Sequence, residues 1–179
     1  MIRLDGSRQL TFKFPADRPT TFDFYSTTVA ELVRFLPHIE MVKSFTPDHA
    51  LLAYQARELA AYDIQMVCEV GMEFDRPNWT IRIVTRENGV RIKPTASMGH
   101  SLGWGWYESE SRLEEADDHT LVHFSLKLSG ELPTPTTMRV MPGRAVNSIA
   151  NAITGQRIEE IAKGFIERSI AAYLAQNPS

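Results

Sequence analysis

The side chains best suited to metal chemistry are the histidines, and only two of them have a spacing that could hold an ion. His119 and His123, in the stretch HTLVH, are four residues apart. That spacing places both side chains on one face of a helix or a strand, as a metal pair requires. His119, however, falls in the turn-like segment ADDH, and the sequence contains no H-E-x-x-H, C-x-x-C or acidic calcium-loop motif. We therefore predict no metal site and no cofactor.

Nucleophilic and acid–base chemistry have few candidates. Cys68 falls on the apolar face of a predicted strand, which indicates a small buried side chain rather than a reactive thiol. Glu69 and Glu73 fall on the opposite face of that strand, where we expect them to be exposed to solvent. If the protein is an enzyme, the acid–base group is predicted among Glu108, Glu110 and His123. The preferred interpretation is that it is not an enzyme and has no catalytic residue.

Two tryptophans in the stretch GWGWYESES suggest binding rather than catalysis. Trp104 and Trp106 alternate with Gly103 and Gly105, so the two indoles share one face of a predicted strand. We expect the indoles to line a pocket and to offer N–H groups to a ligand. The alternatives are that they fill the core or pack on an exterior patch. The bare glycine face indicates a bend or the close approach of another backbone.

The pattern of apolar residues predicts the elements that position these side chains. Alternation predicts a strand at 9–14, its continuation at 20–26, and five or six further strands between 49 and 130, forming an antiparallel meander. Asn88-Gly89 is typical of a hairpin turn within that meander. Thr28 and Glu31 predict a capped short helix that ends at Pro37.

A long amphipathic helix is predicted at 145–175. Its apolar residues recur at spacings of three and four, and Gly155 and Gly164 are its weak points in helix propensity. Because a twisted antiparallel sheet needs a cover on one face, we expect this helix to lie across the concave face of the sheet.

Composition limits the class of protein. The chain has 179 residues, 43% of them hydrophobic, a net charge of −3 and one cysteine. These values predict a single domain over 1–179, located in the cytoplasm, without a secretory leader. The absence of a Lys/Arg run argues against a nucleic-acid partner, and no apolar run is long enough to predict a transmembrane segment. A peripheral contact with a membrane is compatible with this composition.

The stretch TTVAELVRFLPHIEMVKSF, followed by a strand meander and a long final helix, resembles the START/SRPBCC superfamily. The positions that carry the resemblance are Thr28, Val29, Leu32, Phe35, Leu36, Pro37, Ile39 and Val42. The superfamily includes the birch pollen allergen, polyketide cyclases and lipid-transfer START domains. The segment looks most similar to the coenzyme-Q-binding and carbon-monoxide-dehydrogenase-subunit-G branches. The resemblance implies an α+β helix-grip fold, with two short helices after the first strand and a curved antiparallel sheet around a long C-terminal helix.

The same resemblance implies a cavity between helix and sheet that holds a hydrophobic small molecule, such as a lipid, an isoprenoid quinone or a polyketide. From alternation and resemblance together, the predicted lining residues are Phe35, Met66, Cys68, Val70, Trp79, Ile81, Trp104, Trp106, Phe124, Leu126, Ile158, Ile161 and Phe165. Two alternatives stay open. One is a cyclase or dehydratase on the same fold, and the other is a fully packed protein-interaction domain without a cavity.

Overall fold

The computed structural model describes residues 1–58, 62–87 and 92–178, which form one sheet and three helices. The strands are β1 (Ile2–Phe14), β2 (Ile39–Thr46), β3 (His49–Glu58), β4 (Tyr62–Asp75), β5 (Thr80–Thr85), β6 (Thr95–Ala96), β7 (His100–Glu115) and β8 (Thr120–Leu132). The helices are α1 (Arg18–Tyr25), α2 (Val29–Val33) and α3 (Gly143–Gln176), with a single 3-10 turn at Thr136–Met138. The predicted turn at Asn88-Gly89 lies outside the described residues.

The strands follow the order β1-β8-β7-β5-β4-β3-β2, with the two-residue β6 paired to β7. Neighbouring strands are antiparallel except at one place. Because β5 has only six residues, β7 pairs directly with β4 beyond the end of β5, and this pairing is parallel, from Asp63↔His100 to Val67↔Trp104. The expected antiparallel meander is therefore interrupted at one end of the sheet.

Both short helices begin at a side-chain cap. The Thr28 hydroxyl oxygen accepts a hydrogen bond from the Glu31 backbone N–H at 3.3 Å, as the sequence predicts. The other helix, α1, occupies a stretch that alternation assigned to a strand, and that assignment is wrong. Asp17 accepts from the backbone N–H of Thr20 at 2.8 Å, and Pro19 stands in the first turn. These two helix-start signals prevail over the alternation of Phe22 and Phe24.

The second half of α3 packs tightly on the inner face of the sheet. Phe165 stacks on Phe124 of β8, with ring centroids 4.8 Å apart, and on Tyr25 of α1 at 5.6 Å. The Tyr25 hydroxyl lies 2.8 Å from the Ser169 hydroxyl, and both residues are buried. Since Ser169 donates its proton to the Ile166 carbonyl, Tyr25 is the donor to Ser169. At this end α3 is thus fixed by aromatic contacts to β8 and to α1 and by one buried hydrogen bond to α1.

The two helix glycines have different surroundings. A methyl group added at Gly155 would meet no atom within 4 Å, whereas one added at Gly164 would lie 2.8 Å from Cδ of Pro37 and closer still to Cγ. Gly164 therefore lets α3 pass directly against the Pro37 turn that follows α2. The sequence marks both glycines as weak points, but only Gly155 is one; Gly164 is required by packing.

Candidate ligand-binding site

A cavity of about 170 Å³ lies under the first half of α3, at the end of the sheet where β4 meets β7. Its walls come from the start of β1, the end of β3, the starts of β4 and β7, the end of β8, and the segment before α3. Most of the lining side chains are apolar: Ile2, Leu4, Ile64, Met66, Leu128, Leu132, Met138, Met141, Val146, Ile149, Ala150 and Ile153. The polar residues that line it are Tyr54, Glu58, Tyr62, Ser101, Thr154 and Arg157.

The main polar group in the wall is an ion pair between strand and helix. Arg157 of α3 donates to both carboxylate oxygens of Glu58, at 2.8 and 3.2 Å, and to Glu160 at 2.6 Å. Glu58 is 6% exposed, so this carboxylate is shielded from water. These hydrogen bonds raise the pKa of Arg157 above its usual range. Burial raises the pKa of Tyr54, and the nearby Glu58 carboxylate raises it further, so Tyr54 is protonated at neutral pH.

A second polar pair is satisfied by the protein itself. The Ser101 hydroxyl donates to the Pro133 carbonyl at 3.1 Å and lies 2.6 Å from the Tyr62 hydroxyl, so Tyr62 is the donor in the second contact. Neither hydroxyl proton is left for a ligand. Because the Arg157 donors already engage two carboxylates, this wall has more capacity to accept hydrogen bonds than to donate them.

The cavity lies directly beside an external cleft. Met138 and Met141 line the cavity and also line a more polar external cleft of about 610 Å³, to which Arg139 and Asn147 contribute. Met141 is 38% exposed. Methionine side chains are unbranched and adapt their conformation easily, so displacement of these two residues would widen the connection between the cavity and the cleft.

Most of the residues predicted to line a pocket lie elsewhere. Of that set, only Met66 lines the cavity. Ile81, Phe124 and Phe165 surround a void of about 10 Å³, which is room for no more than one water molecule. The packed core around α3 contains Cys68, Val70, Leu126, Ile158 and Ile161, with Phe35 and Trp79 packed against it. For these residues alternation identified inward-facing side chains correctly, but it could not distinguish a filled core from an open cavity.

The predicted pocket position of the two indoles is wrong. Tyr107, which alternates with them, is 3% exposed and lies on the inner face, so Trp104 and Trp106 lie on the outer face of β7. The Trp106 indole N–H donates to Glu87 at 3.5 Å. The predicted close approach of another backbone is found at Gly103, where a methyl group would collide with the Glu131 carbonyl of β8, whereas one at Gly105 would make only ordinary contacts.

Trp79 also lies away from the cavity. It has a positive φ of 51° in the turn before β5, where its ring packs edge-on against Phe22 at 5.6 Å and under the Arg18 guanidinium at 4.6 Å.

The three residues proposed for acid–base chemistry lie on the outer face as well. Glu110 pairs with Arg82 at 2.7 Å, Glu108 is exposed, and His123 contacts Glu114 at 2.8 Å. Glu69 does lie opposite the apolar face, but its expected exposure is wrong. It is 4% exposed and contacts His49 at 2.6 Å.

The remaining chemistry predicted from sequence concerns Cys68 and metal ions. Burial raises the pKa of the Cys68 thiol to about 11, which leaves it un-ionised at neutral pH. Within 1–58, 62–87 and 92–178, no group of three His, Cys, Asp or Glu residues could hold a metal ion. Across the same residues, no helix combines the length and hydrophobicity needed to cross a bilayer.

Sequence reasoning missed the residues that bound the cavity at its polar side. Glu58 and Arg157 are 99 positions apart, and nothing local predicts their pairing. Two features of the sequence did indicate residues of the cavity wall. Ile2 and Leu4 alternate in the opening MIRLDG, and Val146, Ala150, Ile153 and Arg157 follow one another at helical spacing on the first half of α3.

Comparison with known structures identifies the architecture. The chain is similar to TTHA0849 from Thermus thermophilus, with a TM-score of 0.53 and 17% identity, covering 93% of this chain and 99% of that chain. It is also similar to the Zhui aromatase/cyclase from Streptomyces sp. R1128, with a TM-score of 0.56 and 11% identity, covering 94% and 93%. The chain has the helix-grip fold.

A conserved protein from Geobacillus kaustophilus shares that helix-grip fold, with a TM-score of 0.54 and 11% identity over 96% of this chain and 95% of that chain. At such identities, the fold is what these proteins have in common. No sequence-family model matches the chain, and neither does any curated protein sequence. The helix-grip fold that the resemblance implied is confirmed.

Proposed function

We propose that the protein reversibly binds a hydrophobic small molecule in the cavity beneath the first half of α3. The observation that carries this proposal is a volume of about 170 Å³ with an almost wholly apolar lining and one buried ion pair at its side. Burial of apolar ligand surface supplies the driving force, roughly 25 cal/mol for each Å² removed from water.

The volume limits the part of a ligand that enters. A cavity of about 150 Å³ holds one benzene molecule, so this cavity accepts roughly one ring or a short branched chain. A lipid, an isoprenoid quinone or a multi-ring polyketide would leave its larger part in the external cleft of about 610 Å³, with Met138 and Met141 displaced.

The wall also favours one kind of polar group. Arg157 is shared between two carboxylates, Glu58 in the cavity wall and Glu160, which also contacts His38, so this side of the cavity offers no free positive group to an anion. An anionic ligand such as a fatty acid would be repelled, whereas a hydroxyl could donate to Glu58. A neutral, hydroxyl-bearing ligand is the class that suits this site.

Binding is favoured over catalysis by the position of the candidate acids and bases. Glu108, Glu110 and His123 lie on the outer face, and Glu58 is held by Arg157. The aromatase/cyclase with the same fold is the reason to consider an enzyme. However, a carboxylate whose two oxygens are both bound by an arginine, as in Glu58, is a poor general acid or base. The cavity itself argues against the alternative of a fully packed interaction domain.

The test uses one-ring probes that differ in a single group: toluene, p-cresol and p-toluate, followed by ligand-observed NMR. We expect toluene and p-cresol to bind and p-toluate to bind at least tenfold more weakly. Ala150 lines the cavity, so Ala150→Leu should abolish binding, whereas Ala152→Leu, on the exposed side of the same helix, should not. Equal binding by the two variants would refute the proposal. Native mass spectrometry of the purified wild-type protein would then identify any co-purified ligand.

A further inference from the structure

Exposed apolar side chains concentrate around the mouth of the cavity. Among the described residues, nine large hydrophobic side chains are exposed, and five belong to this end of the molecule: Met1, Met98, Val140, Met141 and Ile149. Met1 and Met141 line the external cleft, and Ile149 lines the cavity. Val140, the most exposed at 89%, precedes Met141, and Met98 (79%) follows two residues after Ala96, which also lines the cleft.

The same end of the molecule is depleted in acidic residues. Asp and Glu make up 22 of the 179 residues, yet neither occurs between 92 and 107 or between 132 and 158. These two segments instead contain Lys93, Arg139, Arg144 and Arg157.

Arg139 and Arg144, the arginines beside the exposed apolar residues, carry charge that is open to an external partner. Both are exposed, and no carboxylate of 1–58, 62–87 or 92–178 forms an ion pair with either. Three carboxylates of the strands at this end of the sheet are paired with other arginines: Glu131 with Arg3, Glu58 with Arg157, and Asp63 with Arg57. Although the protein has a net charge of −3, this end therefore presents two exposed arginines without an ion pair among the described residues, next to exposed apolar side chains.

From this combination we infer that the cavity-mouth end docks on the surface of an anionic phospholipid bilayer. Val140, Met141 and Met98 would enter the boundary between headgroups and acyl chains, and Arg139 and Arg144 would bind lipid phosphates. A guanidinium fits phosphate geometry well, and side chains at a segment end can reach headgroups without any helix crossing the membrane. A peripheral contact of this kind would bring Met138 and Met141, which lie between the cavity and the cleft, close to the lipid.

This inference goes beyond the proposed function, because docking requires no occupant in the cavity. The alternative partner for this end of the molecule is the surface of another folded protein. Arg139 and Arg144 flank Val140 and Met141 in sequence, as expected for a segment at the boundary between lipid headgroups and acyl chains. Acidic residues are absent from two separate parts of the chain that meet at this end, 92–107 and 132–158. A broad region without acidic residues favours an extended anionic surface as the partner over a single complementary patch on a protein.

The test is co-sedimentation of the full chain with vesicles of phosphatidylcholine alone or with 30% phosphatidylglycerol, in low and high salt. We expect binding to the anionic vesicles that weakens strongly as salt rises, and little binding to neutral vesicles. Binding of equal strength to both kinds of vesicle, or to neither, would overturn the inference.

Two matched pairs of variants locate the contact. Val140→Asp should lower vesicle partitioning by more than tenfold, whereas Val42→Asp, on the edge strand β2 and outside both the cavity and the cleft, should not change it. Each of Arg139→Gln and Arg144→Gln should lower partitioning about fivefold, the effect expected of one basic residue near an anionic surface. Arg112→Gln, on the exposed outer face of β7, is their control.

All substituted positions are exposed, so the variants should keep the wild-type circular dichroism and thermal midpoint. Equal losses for Val140→Asp and Val42→Asp would show that the proposed face is not the contact. Probe binding in the absence of vesicles is a separate measurement, so failure of docking and failure of cavity binding can be distinguished.

Discussion

Replacing Gly164 by alanine should destabilise the protein, although alanine is the better helix former. A methyl group there would lie 2.8 Å from Cδ of Pro37 and closer still to Cγ, well inside the carbon–carbon contact distance of about 3.5–4.0 Å. The proline ring cannot rotate away, so either the helix or the turn after α2 must shift. Overpacking of this kind costs about 1–3 kcal/mol, against roughly 1 kcal/mol gained in helix propensity.

Gly155→Ala in the same helix isolates the steric effect. The added methyl group meets no atom within 4 Å, so this variant should be more stable than wild type by about 0.5–1 kcal/mol. Because the propensity gain is the same in both variants, the difference between them measures the contact with Pro37. It should be about 1–3 kcal/mol, or roughly 3–9 °C in thermal midpoint for a chain of this size.

Urea unfolding followed by circular dichroism provides the measurement, with the slope m checked for constancy between the variants. If Gly164→Ala were as stable as Gly155→Ala, the close approach of α3 to the Pro37 turn would be refuted. The packing account of that half of the helix would then have to be abandoned.

Three further predictions concern buried groups. Cys68, with a pKa of about 11, should be ionised in about one molecule in a thousand at pH 8, so a thiol reagent should label it only after denaturation; rapid labelling of the folded protein would contradict its burial. Ser169→Ala leaves the buried Tyr25 hydroxyl without an acceptor and should lower the free energy of unfolding in urea by about 1–3 kcal/mol. Adding Tyr25→Phe to this variant should lower it little further. Additive losses in the double variant would argue against the hydrogen bond between the two residues. Glu58→Gln should lower the free energy of unfolding by about 1–3 kcal/mol because it weakens a shielded ion pair. Glu159→Gln, in an exposed pair with Lys163, should be as stable as wild type. Equal stability of the two variants would contradict the shielding of Glu58.

Local signals in the sequence were enough to predict most of the architecture. The strand alternation, the Thr28 cap and the three- and four-residue spacing of the last helix each depend on neighbouring residues, and all three appear in the structure. The error at α1 was also local: aromatic alternation at Phe22 and Phe24 was weighted above the cap at Asp17.

The binding site was harder to predict because it depends on contacts that are distant in sequence. Alternation divides a strand into two faces but does not say which face meets the helix, and for Trp104 and Trp106 the wrong face was chosen. It also does not say where the helix leaves room beneath it. Phe165 fills the space at one end, whereas the smaller Ala150 leaves it open at the other, and this difference follows only from the path of α3 across the sheet.

The brevity of β5 affects the ligand space, although that strand supplies no lining residue. Where β5 is absent and β4 meets β7 directly, the sheet is one strand narrower, or about 4.8 Å less in width. The sheet therefore tapers toward the cavity. Extending β5 by a few residues would push β4 and β7 apart and enlarge the chamber without altering any residue in its wall. The size of such a cavity therefore depends on strand length as well as on the residues in its wall.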